Sequence, residues 1–202
     1  MIVYDIEIKR AVPHKSKPRE KGIDYCEGWH DHANMEIACI CAYDAIADRY
    51  RVFSDGNLEA FDQLCHERYV VGFNSIQFDD KVLAVEGLSV KTDYDLLREV
   101  WIADGLEPTF QSVETHDGYG LDSLAKANGQ TGKIGNGADA PAWWQRGEYG
   151  KVIDYCLEDV RQTWLLMKRV LRDGHLNHPK APERRLSLGR QNLVRYLHLG
   201  SR

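Results

Sequence analysis

Three short runs in this chain set carboxylates where chemistry is a simple account of them. The first is Asp5-Ile6-Glu7, inside the apolar stretch IVYDIEI at residues 2–8. That stretch reads as a strand, and side chains two apart on a strand share a face. Two carboxylates on one face of an apolar strand repel, and they are costly to desolvate unless a positive charge lies between them. A divalent cation meets that need, and carboxylate oxygens suit magnesium or manganese. Taken alone, the pair also fits an exposed edge strand with two solvated acids.

The second run is Asn74-Ser75-Ile76-Gln77-Phe78-Asp79, directly after the apolar segment Tyr69–Phe73. A buried strand passes into a turn, and Asp79 falls where a helix over 78–86 begins and Gly87 stops it. Strand ends are where open α/β sheets place their sites. A helix cap at Asp79 and a turn residue at Asn74 are the plainer alternatives. The third run is Tyr155-Cys156-Leu157-Glu158-Asp159, within the longest helical pattern, Glu148–Arg172. Tyr155 and Asp159 are one turn apart, and Val152 and Leu166 extend their face, so Asp159 points inward. A buried carboxylate needs a partner, and no lysine or arginine stands three or four positions away to supply one. A core tyrosine bonded to a neighbouring acid is the alternative. Asp80, Asp154 and Glu158, beside the candidates, read as facing solvent.

The elements that must position these residues are legible in outline. Strands are expected at 2–8, Ile37–Tyr43, Tyr50–Phe53 and Tyr69–Phe73. Helices are expected at Leu58–Glu67 (with Asn57 as N-cap), 78–86, Leu96–Ala103, Leu121–Ala127 and Glu148–Arg172, the last ended by Gly174. Strands first, then strands alternating with helices, predict an α/β domain with a mixed sheet. Residues 9–35 form a long polar connection with a basic first half, and 129–141 read as a loop. The tail 175–202 is basic, with a short amphipathic helix expected over 186–199.

Composition narrows the class. The 202 residues suit one domain. No apolar run is long enough to span a bilayer, and the start reads as a strand rather than a signal peptide, so an intracellular, cytoplasmic protein is expected. Five cysteines at irregular spacing argue for reduced thiols rather than a disulfide framework. The net charge of −5 argues against a protein that coats duplex DNA, unless several acids meet cations instead.

Taken together, D-x-E on an early strand, N-x-x-x-F-D after a later one and Y-x-x-x-D on a C-terminal helix resemble the signature of the DEDD exonuclease superfamily. The tyrosine makes the set similar to its DEDDy branch. YDIE, the five-residue step from Asn74 to Asp79, and YCLEDV are similar to the three motifs of the proofreading exonuclease domain of family-B DNA polymerases and its free-standing relatives. The segment Tyr119–Ala125, followed by Gly132-Lys133, is also similar to theirs. The likeness covers roughly residues 1–172. It departs at Ile8, where the family often has threonine or another small residue, and at 9–35, which has no clear counterpart.

The resemblance implies a ribonuclease H-like mixed sheet flanked by helices, with an exonuclease domain over 1–174. It implies 3′→5′ hydrolysis of phosphodiesters with two divalent cations, Mg2+ or Mn2+. Asp5 would bridge both cations, Glu7 and Asp159 would complete the site that activates water, Asp79 would hold the second cation, and Tyr155 would orient the water. Ile8, Asn74 and Phe78 would contact substrate. Single-stranded DNA or frayed 3′ ends are the expected partner, with no membrane. An exoribonuclease of the same superfamily, a ribonuclease H-like endonuclease and a non-catalytic nucleic-acid-binding module are the alternatives.

Weaker signals are weighed beside these. Cys26, His30 and His32, with His14 nearby, could bind zinc, although the spacing fits no standard structural site. Trp143-Trp144 could stack on bases, but such a pair more often anchors a loop. Phe73 and Phe78 could stack on a terminal base, and core packing is the plainer role for both. The 9–35 segment and the tail could guide a strand electrostatically.

Overall fold

The strand that carries the first acid pair lies at the centre of a five-stranded sheet. In the computed structural model, which describes residues 1–14, 16, 18–131, 137–189 and 193, the sheet order is β3-β2-β1-β4-β5. β1 (Ile2–Ile8) pairs antiparallel with β2 (Ile37–Asp44) and parallel with β4 (Val70–Gly72). β3 (Arg49–Phe53) extends the sheet beyond β2, and β5 (Tyr94–Asp95) extends it beyond β4 in parallel. The mixed α/β architecture is the one expected. A central strand covered on both faces reads as a continuous apolar run. Accordingly every residue of β1 is buried except Asp5, which is half-buried. The edge-strand reading of Asp5 and Glu7 is therefore excluded.

Period-two alternation divides two cores. Val3 of β1 and Cys39, Cys41 and Tyr43 of β2 face the layer of α3 (Leu96–Ala103), α5 (Leu121–Ala127) and α7 (Tyr149–Asp173). Ile2, Tyr4, Ile6 and Ile8 face the layer of α1 (Leu58–Cys65) and α2 (Asp79–Val85), against Phe61, Val82 and Leu83. Asp5 and Glu7 share the parity of Val3, so they point toward α7. A one-residue slip would turn both acids into the other core, and so the burial of both faces pins their direction. Their antiparallel partners across β2 are Cys41 and Cys39.

α7 lies across β1 and β2 with a buried stripe through Val152, Tyr155, Asp159, Thr163 and Leu166. Gly174 ends it in the left-handed conformation, φ +73°, as expected. Elsewhere Asn57 takes the N-cap position of α1, but its Oδ1 accepts from Ser54 N, 2.7 Å, and not from the helix. Part of the loop expected at 129–141 is instead a 3-10 turn, Gly137–Asp139, leading into α6 (Ala140–Gln145); residues 132–136 lie outside the described residues. α4 (Val113–His116) and β5 are additional elements. In the tail, β6 (His175–Asn177) and β7 (Arg185–Ser187) form a hairpin whose Leu176 and Leu186 enter the α7-side core. The helix expected over 186–199 thus begins in a strand, and most of its remaining residues lie outside the described ones.

The long connection 9–35 is pinned at several points. Ala11 bridges Tyr25, Cys26 and Met35 are buried, and Gln145 of α6 bonds Lys9 O, Asp24 O and Asp24 N at 2.7–3.0 Å. Lys9 and Arg10 are paired with Asp55 and Glu36 at 2.8 Å, which weakens the reading of this segment as a basic guide. All five cysteines are buried and free of disulfides. Among the described residues no helix is long and apolar enough to cross a membrane.

Candidate metal centre and its cleft

Parallel pairing of β1 with β4 ends at Val3–Val71, because β4 stops at Gly72 and the chain turns away. The β1 backbone beyond that point needs another hydrogen-bond partner. Asp79 supplies one: its Oδ1 accepts from Ile6 N at 3.2 Å. The carboxylate of the second motif is thereby held at the edge of β1, between the two acids of the first. The break in the sheet at the carboxyl end of the parallel strands is the place such folds reserve for sites.

The turn that delivers Asp79 is built tightly. Asn74 adopts φ +64°, a left-handed conformation that asparagine tolerates better than most residues. Gly72 is required by close approach, since a Cβ there would lie 2.2 Å from Ser75 Oγ. Asp95 holds the whole turn from β5. Its carboxylate accepts from Asn74 N at 2.9 Å and Ile76 N at 3.1 Å, and caps α3 through Leu97 N and Arg98 N. Sequence reasoning missed Asp95, although an Asp directly before the apolar run Leu96-Leu97 is an N-cap signal. Asp80, read as facing solvent, instead accepts from Tyr4 Oη at 2.5 Å and from Thr92 Oγ1 at 2.8 Å. It braces α2 against the sheet.

The third motif meets the first from α7. Asp5, Glu7 and Asp159 each offer a carboxylate oxygen within 4.8 Å of the others. Cys156 on the adjacent α7 position donates weakly to Asp5 O at 3.4 Å and Asp5 Oδ2 at 3.5 Å, which locks strand to helix at this point. Asp79 stands outside that trio but lines the same cleft, of about 670 Å³, together with Tyr155, Ile8, Asn74, Phe73 and Phe78. Every residue singled out in the three motifs as a candidate for chemistry or substrate contact therefore borders one cavity. Burial, with Asp80 and Asp95 nearby, pushes the Asp79 carboxyl up to about 8. Burial of this kind disfavours the charged form, and a cation beside the carboxylate would favour it.

Tyr155 sits one turn before Asp159, edge-on to Trp143 at 6.2 Å between ring centres. A Cβ at Gly137 would lie 3.1 Å from its hydroxyl, so a larger residue there would crowd that hydroxyl by a few tenths of an ångström. Trp143 also carries Lys151 Nζ over its ring at 3.9 Å, and Trp144 packs on Tyr149, so the pair anchors α6 to α7. Cys26, His30 and His32 form no metal-ligand group among the described residues. Cys39, Cys41 and Cys156 do lie within 4.8 Å of one another, fully buried. The Asp5, Glu7 and Asp159 trio instead offers hard oxygen donors, the kind that could hold a hard cation.

The fold and the site define the chain's class: a ribonuclease H-like α/β domain with a carboxylate cleft at the end of its central strand. Its likeness to known proteins follows the same line. Residues 105–193 match the model of a family described as "Predicted 3'-5' exonuclease related to the exonuclease domain of PolB". That stretch includes Tyr155 and Asp159. In fold the chain is similar to the family B DNA polymerase from the hyperthermophilic archaeon Pyrobaculum calidifontis, with TM-score 0.56 and 18% identity over 84% of this chain. The likeness takes in 24% of the polymerase, so the chain spans about a quarter of its length. No curated protein matches the chain. The family match thus takes in the third of the three motifs, and the likeness in fold takes in most of the chain.

Proposed function

We propose that the chain is a metal-dependent 3′→5′ exonuclease that shortens single-stranded DNA or frayed 3′ ends and releases nucleoside 5′-monophosphates. The observation that carries this reading is the meeting of Asp5, Glu7 and Asp159, drawn from the central strand and the longest helix, in one cleft. Carboxylates at that separation are held together at lowest cost around a hard cation. The donor set fits magnesium or manganese: Asp5, Glu7 and Asp159 would hold one ion, and Asp79 and Asp5 would hold a second. Bound there, two divalent cations supply activation of water and offset the charge that gathers on the phosphate.

The chain's own side chains set the geometry. The carboxylates fix where the 3′-terminal phosphate rests. The Tyr155 hydroxyl orients a water for attack in line with the scissile bond. The water oxygen bonds to phosphorus, and the bond from phosphorus to the preceding nucleotide's 3′ oxygen breaks. That oxygen leaves as a hydroxyl, carrying a proton that came from the water. Ile8, Asn74 and Phe78 line the approach to the terminal nucleotide.

The test uses 5′-labelled single-stranded DNA and matched RNA, with magnesium or manganese and then with EDTA. A metal-dependent ladder that shortens from the 3′ end is expected, strongest on DNA, and absent in Asp5→Ala and Asp159→Ala although both fold. Tyr155→Phe should slow the ladder without removing it. Turnover retained in either alanine variant would sink the site assignment. Clean binding with no cleavage under any metal would leave a nucleic-acid-binding module.

A further inference from the structure

The cleft has a wall that the three motifs do not account for. Residues 11–14, 18–20, Tyr25 and Trp29 line it together with the 3-10 turn at Gly137 and the start of α6, and they contribute Arg19, Tyr25 and Trp29. Trp29 is 64% exposed, among the most exposed large apolar side chains described. One exposed aromatic is ordinary by itself. This one is held in a built position. Its loop is anchored by buried Cys26 on one side and buried Met35 on the other. Between them Asp31 closes the loop, accepting from Glu27 N at 2.8 Å and from Asn34 Nδ2 at 2.6 Å, while Asp31 N donates to Gly28 O at 3.0 Å. The indole meets Phe78 edge-on, with ring centres 5.7 Å apart and planes at 68°. Phe78 directly precedes Asp79 and takes the N-cap position of α2, so the indole is braced against the end of the turn that delivers this proposed metal ligand.

An edge contact secures a ring and leaves a face open. A rigid, open indole face beside a phosphate-cleaving cleft suits a flat, apolar partner that arrives attached to phosphates. An unpaired nucleobase has that chemistry, and it stacks without regard to sequence. A base inside a duplex has both faces covered already. Resting on the exonuclease reading above, we infer that Trp29, braced by Phe78, is a stacking platform for an unpaired base upstream of the 3′-terminal nucleotide. The segment 9–35 is then a substrate wall, positioned by Gln145, that selects unpaired strands and lets the chain hold more than the nucleotide being cut.

The experiment measures binding of 5′-fluorescein-labelled d(T)8 and d(T)2 by anisotropy in calcium, with strand length checked after each titration. Wild type, Trp29→Ala and Trp29→Phe are compared as full chains, with circular dichroism melts to verify folding. Loss of one base-stacking contact predicts about tenfold weaker binding of d(T)8 by Trp29→Ala. Binding of d(T)2, too short to reach the platform, should be unchanged, and Trp29→Phe should stay within about twofold of wild type because a ring is kept. A hairpin with a blunt end should compete poorly against d(T)8 for wild type, and no worse for Trp29→Ala. Equal d(T)8 affinity in wild type and Trp29→Ala, in a chain that binds and shortens strands, overturns this assignment alone and turns the indole toward a protein partner. An equal loss on d(T)2 and d(T)8 overturns it as well, since the change would then lie in the cleft itself. A wild-type chain that neither binds nor shortens any strand overturns the nuclease reading together with it.

Discussion

Asp79 separates the cost of the site from its use. It is buried, it accepts a backbone hydrogen bond from Ile6 N, and burial with two nearby acids raises its carboxyl to about 8. A folded-state value above the unfolded one means that the native state holds the extra proton between roughly pH 4 and pH 8. This group's contribution therefore falls as pH rises through that window, and at pH 8 the metal-free fold carries the penalty. Asp79→Asn keeps an oxygen for Ile6 N and removes the charge. It should raise the melting temperature of the metal-free protein at pH 8 by a few degrees, the shift that about 1 kcal/mol brings in a domain of this size. At pH 5 the gain should be clearly smaller, since most of that window lies above it, and activity should be lost at either pH. Differential scanning calorimetry in EDTA reads the first part, and an equal gain at both pH values would detach it from ionisation. Stability given up at a carboxylate proposed to hold a metal is the pattern expected where function and folding compete.

The turn between β4 and α2 is where elements decide the site, and Asp95 is its keystone. Four backbone N–H groups converge on that carboxylate, two from the turn and two from the first turn of α3. Each buried donor left without a partner costs about 1–3 kcal/mol. Asp95→Ala should lower unfolding stability by about 3 kcal/mol or more, read as an earlier urea midpoint. Asp95→Asn keeps Oδ1 for Asn74, Leu97 and Arg98 but turns an amide toward Ile76, so it should cost less while still shifting Asn74 and Asp79 and reducing kcat. A wild-type midpoint for the alanine variant would show that the turn does not depend on this residue. The contrast with the motifs shows what sequence can carry. α3, α5 and α7 are legible because each imposes its own period on the apolar residues, β1 because it is a short continuous apolar run, and the acids stand out as exceptions within those patterns. Asp95 is not, because its partners at 74 and 76 become neighbours only once β4 and β5 pair. Asp80 read as solvent-facing for the same reason, as Tyr4 and Thr92 reach it from other elements. β6 and β7 escaped because three-residue strands hold no period, and their stability comes from Leu176 and Leu186 entering a core built by α7.

Across the whole molecule, charge runs against the proposed substrate. The chain carries −5, yet a nucleic-acid strand is a polyanion. Basic residues on the described surface are in part already committed: Arg184 to Asp104, Arg161 to Glu158 and Arg51 to Asp44. A broad basic face is therefore a poor account of how a strand would be held. Two divalent cations in the cleft would bring the formal charge close to neutrality and place the positive field where the cut is made. Affinity should then depend weakly on monovalent salt and strongly on the divalent ion. If about two phosphates are neutralised by side chains, the slope of log affinity against log salt is about −1.4, so going from about 50 to about 200 mM KCl weakens single-strand binding less than tenfold. Removing calcium with EDTA should weaken it more than that change of salt does. Anisotropy of d(T)8 across both series makes the comparison directly. A steep salt slope that survives EDTA would place the binding energy on basic side chains away from the carboxylates, and the acidic cleft would no longer explain how the strand is held.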